Sequence, residues 1–278
     1  MSTGSTNGNI AHVNNIDLYY QTVGKGRPIL LMHGGLGLDH TYLRPWFDVL
    51  SQTGQVIYYD HRGNGRSQAI TAPDEIDFDV LVSDAAALVE ALGHDRIVLI
   101  GHSYGGFIAQ AFAAAHPDML SGLVLLSTVP TMDYQPTVSG TGEQMAAFGK
   151  LFSQPMSSDA EFRETWRQVV QMYFRDYDTE TGDDLDARTR YSHMAWNAAV
   201  SMLSDFNMLE ALPQIEVPTL VISGRHDPIT PAGPGGERIA KLMPNATAIT
   251  CESSAHYPFI EEETDVMSDI AAWIGKLA

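Results

Sequence analysis

The segment Gly101-His102-Ser103-Tyr104-Gly105 follows the apolar run Arg96 to Ile100 and precedes the helix-like run Phe107 to Ala115. It predicts a serine at a sharp corner between a strand and a helix. Glycine at both flanks removes the side chains that would clash in such a turn, and the serine hydroxyl is pushed clear of the sheet. The five-residue pattern alone is weak, but a strand before it and a helix after it make it a nucleophile elbow. Ser103 is the candidate nucleophile.

A serine hydroxyl is essentially un-ionised near neutral pH, so the chain must also supply a base and a group that orients the base. The buried-strand pattern Pro218 to Ser223 runs into the turn Gly224-Arg225-His226-Asp227-Pro228, which carries an acid where the strand ends. A second strand-like run, Thr247 to Cys251, is followed by Ser253-Ser254-Ala255-His256-Tyr257-Pro258. Asp227 is the expected orienting carboxylate and His256 the expected general base. The order serine, acid, histidine suits three loops at one edge of a parallel sheet. His226, adjacent to Asp227 on a tight turn, points elsewhere. Glu261, Glu262 and Glu263 fall too close behind His256 and read as favourable charge at a helix N-terminus.

A third element lies near the start of the chain. The apolar strand Pro28 to Met32 ends in His33-Gly34-Gly35-Leu36-Gly37, a loop whose backbone amides approach a ligand without side-chain obstruction. The amides of Gly35 and Tyr104 are the expected oxyanion donors. Phosphate cradling is disfavoured, because neither a Gly-Lys-Ser/Thr ending nor a Gly-x-Gly-x-x-Gly run is present.

Composition narrows the class. Sixteen Lys and Arg stand against 34 Asp and Glu, a formal charge of -18 that repels nucleic acid and anionic membrane surfaces. No apolar run reaches membrane-spanning length, and Met1 to Asn9 is polar, without the apolar stretch of a signal peptide, so a cytoplasmic location is expected. Cys251 is the only cysteine, which excludes an intrachain disulfide and thiolate metal sites, and no His-Glu-x-x-His occurs. The chain is expected to use neither a cofactor nor a metal. Its 278 residues, 44% apolar, suffice for one large core with an insertion.

Runs at Ile10 to Asn14 and Ile16 to Val23 predict a hairpin across Asn14 and Asn15. Strands at Ile29, Val56, Ile97, Leu123, Thr219 and Ala248 then alternate with helices at Tyr42 to Gln52, Phe78 to Leu92, Phe107 to Ala115, Glu237 to Met243 and Thr264 to Leu277. Such alternation places a parallel sheet inside and helices on both faces, an α/β fold. Between Pro130 and Pro213 it stops for a helix-patterned stretch of about 80 residues, too long for a simple crossover. The expected organisation is a core over 1–129, a helical cap over 130–213 and the core again over 214–278. Most methionines and aromatics of the insertion read as packing; Phe148 and Trp196, with Leu36 of the glycine loop, are taken as candidate substrate contacts. The acidic run Asp176, Asp178, Glu180, Asp183, Asp184, Asp186 reads as a solvated loop.

Taken together, His33-Gly34-Gly35, the segment Asp60-His61-Arg62-Gly63-Asn64-Gly65-Arg66-Ser67, the elbow at Ser103, Asp227 and His256 resemble the α/β-hydrolase fold family. The likeness runs over Ile16 to Ser127 and from Val217 to the end. It implies a mostly parallel eight-stranded sheet, acyl-transfer chemistry and a structural role for Asp60 and Arg62. Within the family the chain is most similar to the proline iminopeptidase branch and its esterase and lactonase relatives. In iminopeptidases, as the resemblance has it, a cap glutamate following a tryptophan helps bind the substrate's free amino group; here Trp196 is followed by Asn197. A neutral amide offers no full charge to an ammonium, which favours an ester or lactone over a peptide. A serine nucleophile disfavours an alkyl-enzyme route. The expected partner is a small acyl ester or lactone, with no nucleic acid and no membrane. An aminopeptidase taking N-terminal proline and a non-catalytic ligand receptor are the alternatives.

Overall fold

The computed structural model describes residues 8–35 and 37–277. Strands β1 (Asn9–Val13) and β2 (Ile16–Val23) form the expected hairpin, with Asn14 and Asn15 at φ 50° and 60°. Two positive φ values in a two-residue loop match the right-handed twist of the paired strands. The remaining strands are β3 (Pro28–Met32), β4 (Gln55–Tyr59), β5 (Ile97–His102), β6 (Leu120–Leu126), β7 (Thr219–Gly224) and β8 (Ala246–Cys251). They build one eight-stranded sheet in the order β1-β2-β4-β3-β5-β6-β7-β8, in which every neighbouring pair from β4 onward is parallel.

The pleat divides the core into two layers. Leu30, Leu99 and Leu123 face a side packed with Leu88, Ile108 and Phe112, from helices α1 (Phe78–Ala91) and α2 (Tyr104–Ala115). Ile29, Val98 and Val124 face the other side, where Phe47, Phe259 and Ile270 pack; Ile270 belongs to α9 (Glu263–Ile274). Strands buried on both faces read as unbroken apolar runs, which is why β5 and β7 were legible without alternation.

Four helices lie between β6 and β7: α3 (Gly142–Ser153), α4 (Asp159–Val169), α5 (Thr179–Arg188) and α6 (His193–Met202). Ser and Thr at the preceding positions cap three of them, Thr141 on α3, Ser158 on α4 and Ser192 on α6. The insertion leaves and returns through one neck, where Met208 N–H donates to Pro130 O (2.8 Å) and Thr131 bridges Asn207. It is tied down again where Arg188 Nη1 donates to Thr41 O and Arg44 O (2.9 and 2.7 Å). Between β7 and the end come α7 (Gly236–Leu242) and α8 (Pro258–Glu261).

Two expectations need correction. Tyr42 to Gln52 is not one α-helix but two 3₁₀ segments, His40–Leu43 and Trp46–Gln52, separated at Pro45, which has no amide to continue a ladder. The acidic run is not a solvated loop throughout. Asp178 caps α5, and Asp186, on that helix, pairs with Arg163 (2.6 Å) while only 11% exposed. Among the described residues, no helix is long and apolar enough to cross a membrane.

Candidate active site

Ser103 sits between β5 and α2 at φ 54°, ψ -120°, a conformation that costs a non-glycine residue of order 1–3 kcal/mol. Three hydrogen bonds hold it there. Ser103 N–H donates to Leu126 O (2.9 Å), and Ser103 O accepts from Gly106 N–H and Thr128 Oγ1 (2.9 Å each). The flanking glycines are sterically required: a Cβ on Gly101 would lie 2.5 Å from Gly105 O, and one on Gly105 would lie 2.1 Å from Met32 O. Helix α2 begins at Tyr104, whose amide is one of the four that a helix leaves without internal partners.

Asp227, on the turn after β7, is buried and accepts four hydrogen bonds on its two oxygens. Its Oδ1 takes the amides of Ile229 and Thr230 (2.8 and 2.9 Å), and its Oδ2 takes Thr230 Oγ1 (2.6 Å) and His256 Nδ1 (2.9 Å). Burial alone would raise this carboxyl, but the adjacent imidazole and the Thr230 bonds outweigh it and hold the group below its ordinary value. His256 therefore carries its Nδ1 proton toward a carboxylate, which leaves Nε2 as the basic nitrogen. The backbone of His256 is gripped from both sides: its N–H donates to Tyr173 O (2.9 Å), and its carbonyl accepts from His102 Nε2 (3.0 Å).

Ser103, Tyr104 and His256 line one cavity of about 280 Å³, together with Gly34 and Gly35 of the glycine loop. Phe148 and Trp196 line the same cavity; Leu36 lies outside the described residues. Further wall residues are Tyr134, Phe152, Trp166 and Ile229. No Asp, Glu, Lys or Arg is among the described residues that line it. Trp196 Nε1 donates to Leu151 O (3.1 Å), and Asn197 is spent on both backbone groups of Met156 (2.8 and 2.9 Å). His226 is exposed, pointing away as the turn predicts.

The floor of the loop is a buried polar network. Asp60 accepts from the amide and Nδ1 of His40 (3.0 and 2.6 Å) and from Arg66 N–H (2.8 Å). Burial would raise Asp60, but His40 draws it below the usual carboxylate range. Arg62 pairs with Asp84 through Nε and Nη2 (2.8 and 2.9 Å), and Asn64 Oδ1 accepts Gly37 N–H (2.5 Å). Asp60 and Arg62 thus hold the loops together and stand away from the cavity wall.

These features match a known architecture. The sequence profile of the alpha/beta hydrolase fold covers residues 27–263. The chain belongs to the α/β-hydrolase fold family. A proline iminopeptidase of Saccharolobus solfataricus is 25% identical to it, over 94% of this chain and 90% of its own length. A bifunctional esterase/perhydrolase of Acinetobacter calcoaceticus is 28% identical, over 93% and 96% respectively. In structure, an esterase from Exiguobacterium antarcticum superposes with a TM-score of 0.81 at 20% identity, covering 97% of this chain and all of that one. Fold and hydrolytic class follow for this α/β-hydrolase.

Several residues around the site escaped sequence reasoning. Thr230 was signalled by its position three residues after Asp227, the spacing at which an Asp side chain closes a turn on following amides. Glu261 was read as helix-terminal charge. Its Oε1 instead accepts the amides of Arg175 and Asp176 (2.8 and 3.2 Å), and its Oε2 accepts that of Ala255 (2.8 Å). It staples the insertion to the loop that carries His256. Among the described residues, no group of three or more His, Cys, Asp or Glu is placed to hold a metal ion.

Proposed function

We propose that this α/β-hydrolase is a serine esterase that cleaves neutral esters of short or medium apolar acids, or lactones of similar character, through an acyl-enzyme. Residues 130–213 act as a cap over the reacting centre. His256 Nε2 takes the proton as Ser103 Oγ attacks the carbonyl, and the amides of Gly35 and Tyr104 hold the developing oxyanion. The protonated imidazole then gives its proton to the departing alcohol oxygen, and water repeats the sequence to release the acid. Asp227 keeps the imidazole in the useful tautomer and stabilises its charged form. A cytoplasmic location accords with a chain whose single cysteine leaves no intrachain disulfide to maintain.

The observation that carries the ester reading is the lining of the cavity. A substrate ammonium brought against Phe148, Phe152, Trp166 and Trp196 would lose its water without meeting a carboxylate. Asn197, which follows Trp196, is already committed to Met156 and offers nothing in exchange. The volume, about 280 Å³, lies at the small end of ligand cavities, which span roughly 300–1,000 Å³. The test is a parallel panel of p-nitrophenyl esters of graded acyl length, homoserine lactones and prolyl p-nitroanilide, with Ser103→Ala as blank. Turnover should peak among the short and medium esters and vanish in the blank. Cleavage of the prolyl arylamide at a rate matching the esters would overturn the assignment in favour of an aminopeptidase.

A further inference from the structure

Tyr42 and His102 are buried residues that line the cavity, and neither has a part in the chemistry set out above. The amide of Gly34, in the glycine loop, donates to the Tyr42 hydroxyl (2.6 Å). That hydroxyl lies 2.7 Å from His102 Nδ1, and His102 Nε2 lies 3.0 Å from the carbonyl oxygen of His256. Proton counting gives the chain one direction. A carbonyl oxygen can only accept, so the single ring proton of a neutral His102 faces His256 O from Nε2, and Tyr42 donates its hydroxyl proton to Nδ1 while its oxygen accepts from Gly34 N–H. Three hydrogen bonds in series join the loop that holds the expected oxyanion donor to the backbone of the expected base. They pass through the residue immediately before the nucleophile.

We propose that Tyr42 and His102 act as one positioning unit that sets the distance between the oxyanion loop and the general base. The proposal rests on the hydrolase reading of the site but concerns residues given no part in the proton or acyl transfer. Burial, reinforced by the neighbouring His256, lowers His102 to about 3, so the ring stays neutral and the direction of the chain persists wherever the enzyme works. The ring of His102 is also 5.0 Å from that of His256 and 5.5 Å from that of Tyr42, so it packs between the groups it connects. With His256 N–H held by Tyr173, only its carbonyl is left for the elbow to grip, and His102 supplies that grip. Breaking the series frees the loop and the base to drift separately, and a misplacement of about 1 Å costs roughly 100-fold in rate.

The experiment compares wild type, Tyr42→Phe, His102→Phe, His102→Gln and the Tyr42→Phe/His102→Phe double variant. Two rates are read for each. One is phosphonylation of Ser103 by a fluorophosphonate, in which Oγ bonds to phosphorus, fluoride leaves and the hydroxyl proton passes to the base. The other is kcat on a p-nitrophenyl ester, per titrated site. Tyr42→Phe and His102→Phe should each lower both rates by roughly 10- to 100-fold, with KM changed less than about 2-fold. His102→Gln, whose amide N–H still reaches toward His256 O, should recover most of the loss. In the double variant the two losses should fall well short of multiplying, as for members of one unit.

Titrating only reactive sites removes unfolded protein from the comparison. Rates per site within about 2-fold of wild type alongside a lowered melting temperature would make the pair merely structural and overturn the proposal. Multiplying losses, or no rescue by glutamine, would overturn it equally. If wild type is labelled at Ser103 but hydrolyses no ester, the ester assignment falls, and the labelling rates still decide the fate of the positioning unit.

Discussion

Thr230 shows how a single hydroxyl can be decisive without touching substrate. It bonds Asp227 Oδ2 at 2.6 Å and lies 3.3 Å from His256 Nδ1, so it fixes which lone pair of the carboxylate faces the imidazole. Thr230→Val keeps the shape and the backbone bond to Oδ1 but removes the hydroxyl. We expect kcat on a good ester to fall about 5-fold, the worth of one ordinary hydrogen bond near 1 kcal/mol. Asp227→Asn reverses the tautomer of His256 and should cost on the order of 10⁴-fold. Steady-state rates of the two variants on one ester check this order; equal losses would mean that Asp227 does not set the tautomer. At this scale the sequence was legible where the signal is local. Ser103, Asp227 and His256 each close a strand with a short, recognisable turn. Tyr42 and His102 were not, because they meet only through contacts spanning 60 and 154 positions, and nothing near either residue announces the partner.

Helices and strands were legible in proportion to how far their own burial decides them. The central strands are apolar on both faces, and α1 and α9 carry one apolar stripe, so each appeared within a few residues of its observed bounds. The 3₁₀ segments before β4 did not, since their apolar residues keep a helical spacing that Pro45 interrupts. Glu261 on α8 was misread for a related reason: its charge suits a helix end, and only the fold brings the amides of residues 175, 176 and 255 to it. Burial raises its carboxyl above the ordinary glutamate value, against the opposing pull of those amides. A carboxyl raised in the folded state contributes stability that is fully present below its unfolded value and is lost as pH rises through the folded one. Glu261→Gln removes this titration. Relative to wild type, the variant should therefore look better at neutral pH than at about pH 4, near the free glutamate value. Urea midpoints of both proteins at the two pH values measure the difference, and a difference of opposite sign would contradict the staple's burial. Glu261→Ala, which loses all three amide bonds, should be the less stable of the two variants at either pH, and it should also lower kcat by loosening the histidine loop.

The whole molecule carries a charge of -18, yet the cavity that holds Ser103 and His256 is lined by no charged side chain among the described residues. The two facts act at different ranges. The surface field extends over a Debye length, roughly 30 Å at 0.01 M salt and about 10 Å at 0.1 M, so it acts on a substrate before contact. The lining acts only after the substrate has shed its water. A neutral ester feels little of the first and is favoured by the second, whereas its product acid is an anion that the field pushes outward. This separation was only half legible: net charge is read by counting residues, but the neutrality of the wall depends on which side chains of the insertion turn inward. It leads to a salt test. Raising sodium chloride from about 10 mM to about 300 mM should change kcat/KM for a neutral phenyl ester less than about 2-fold, because no long-range attraction is there to be screened. A cationic choline ester of the same acid should lose kcat/KM over that range as its steering is screened, and a half-ester bearing a free carboxylate should gain. If the neutral ester responded as steeply as the cationic one, a charged group would have to stand at the cavity wall, and the distinction between an esterase and an enzyme for ammonium-bearing substrates would fail with it.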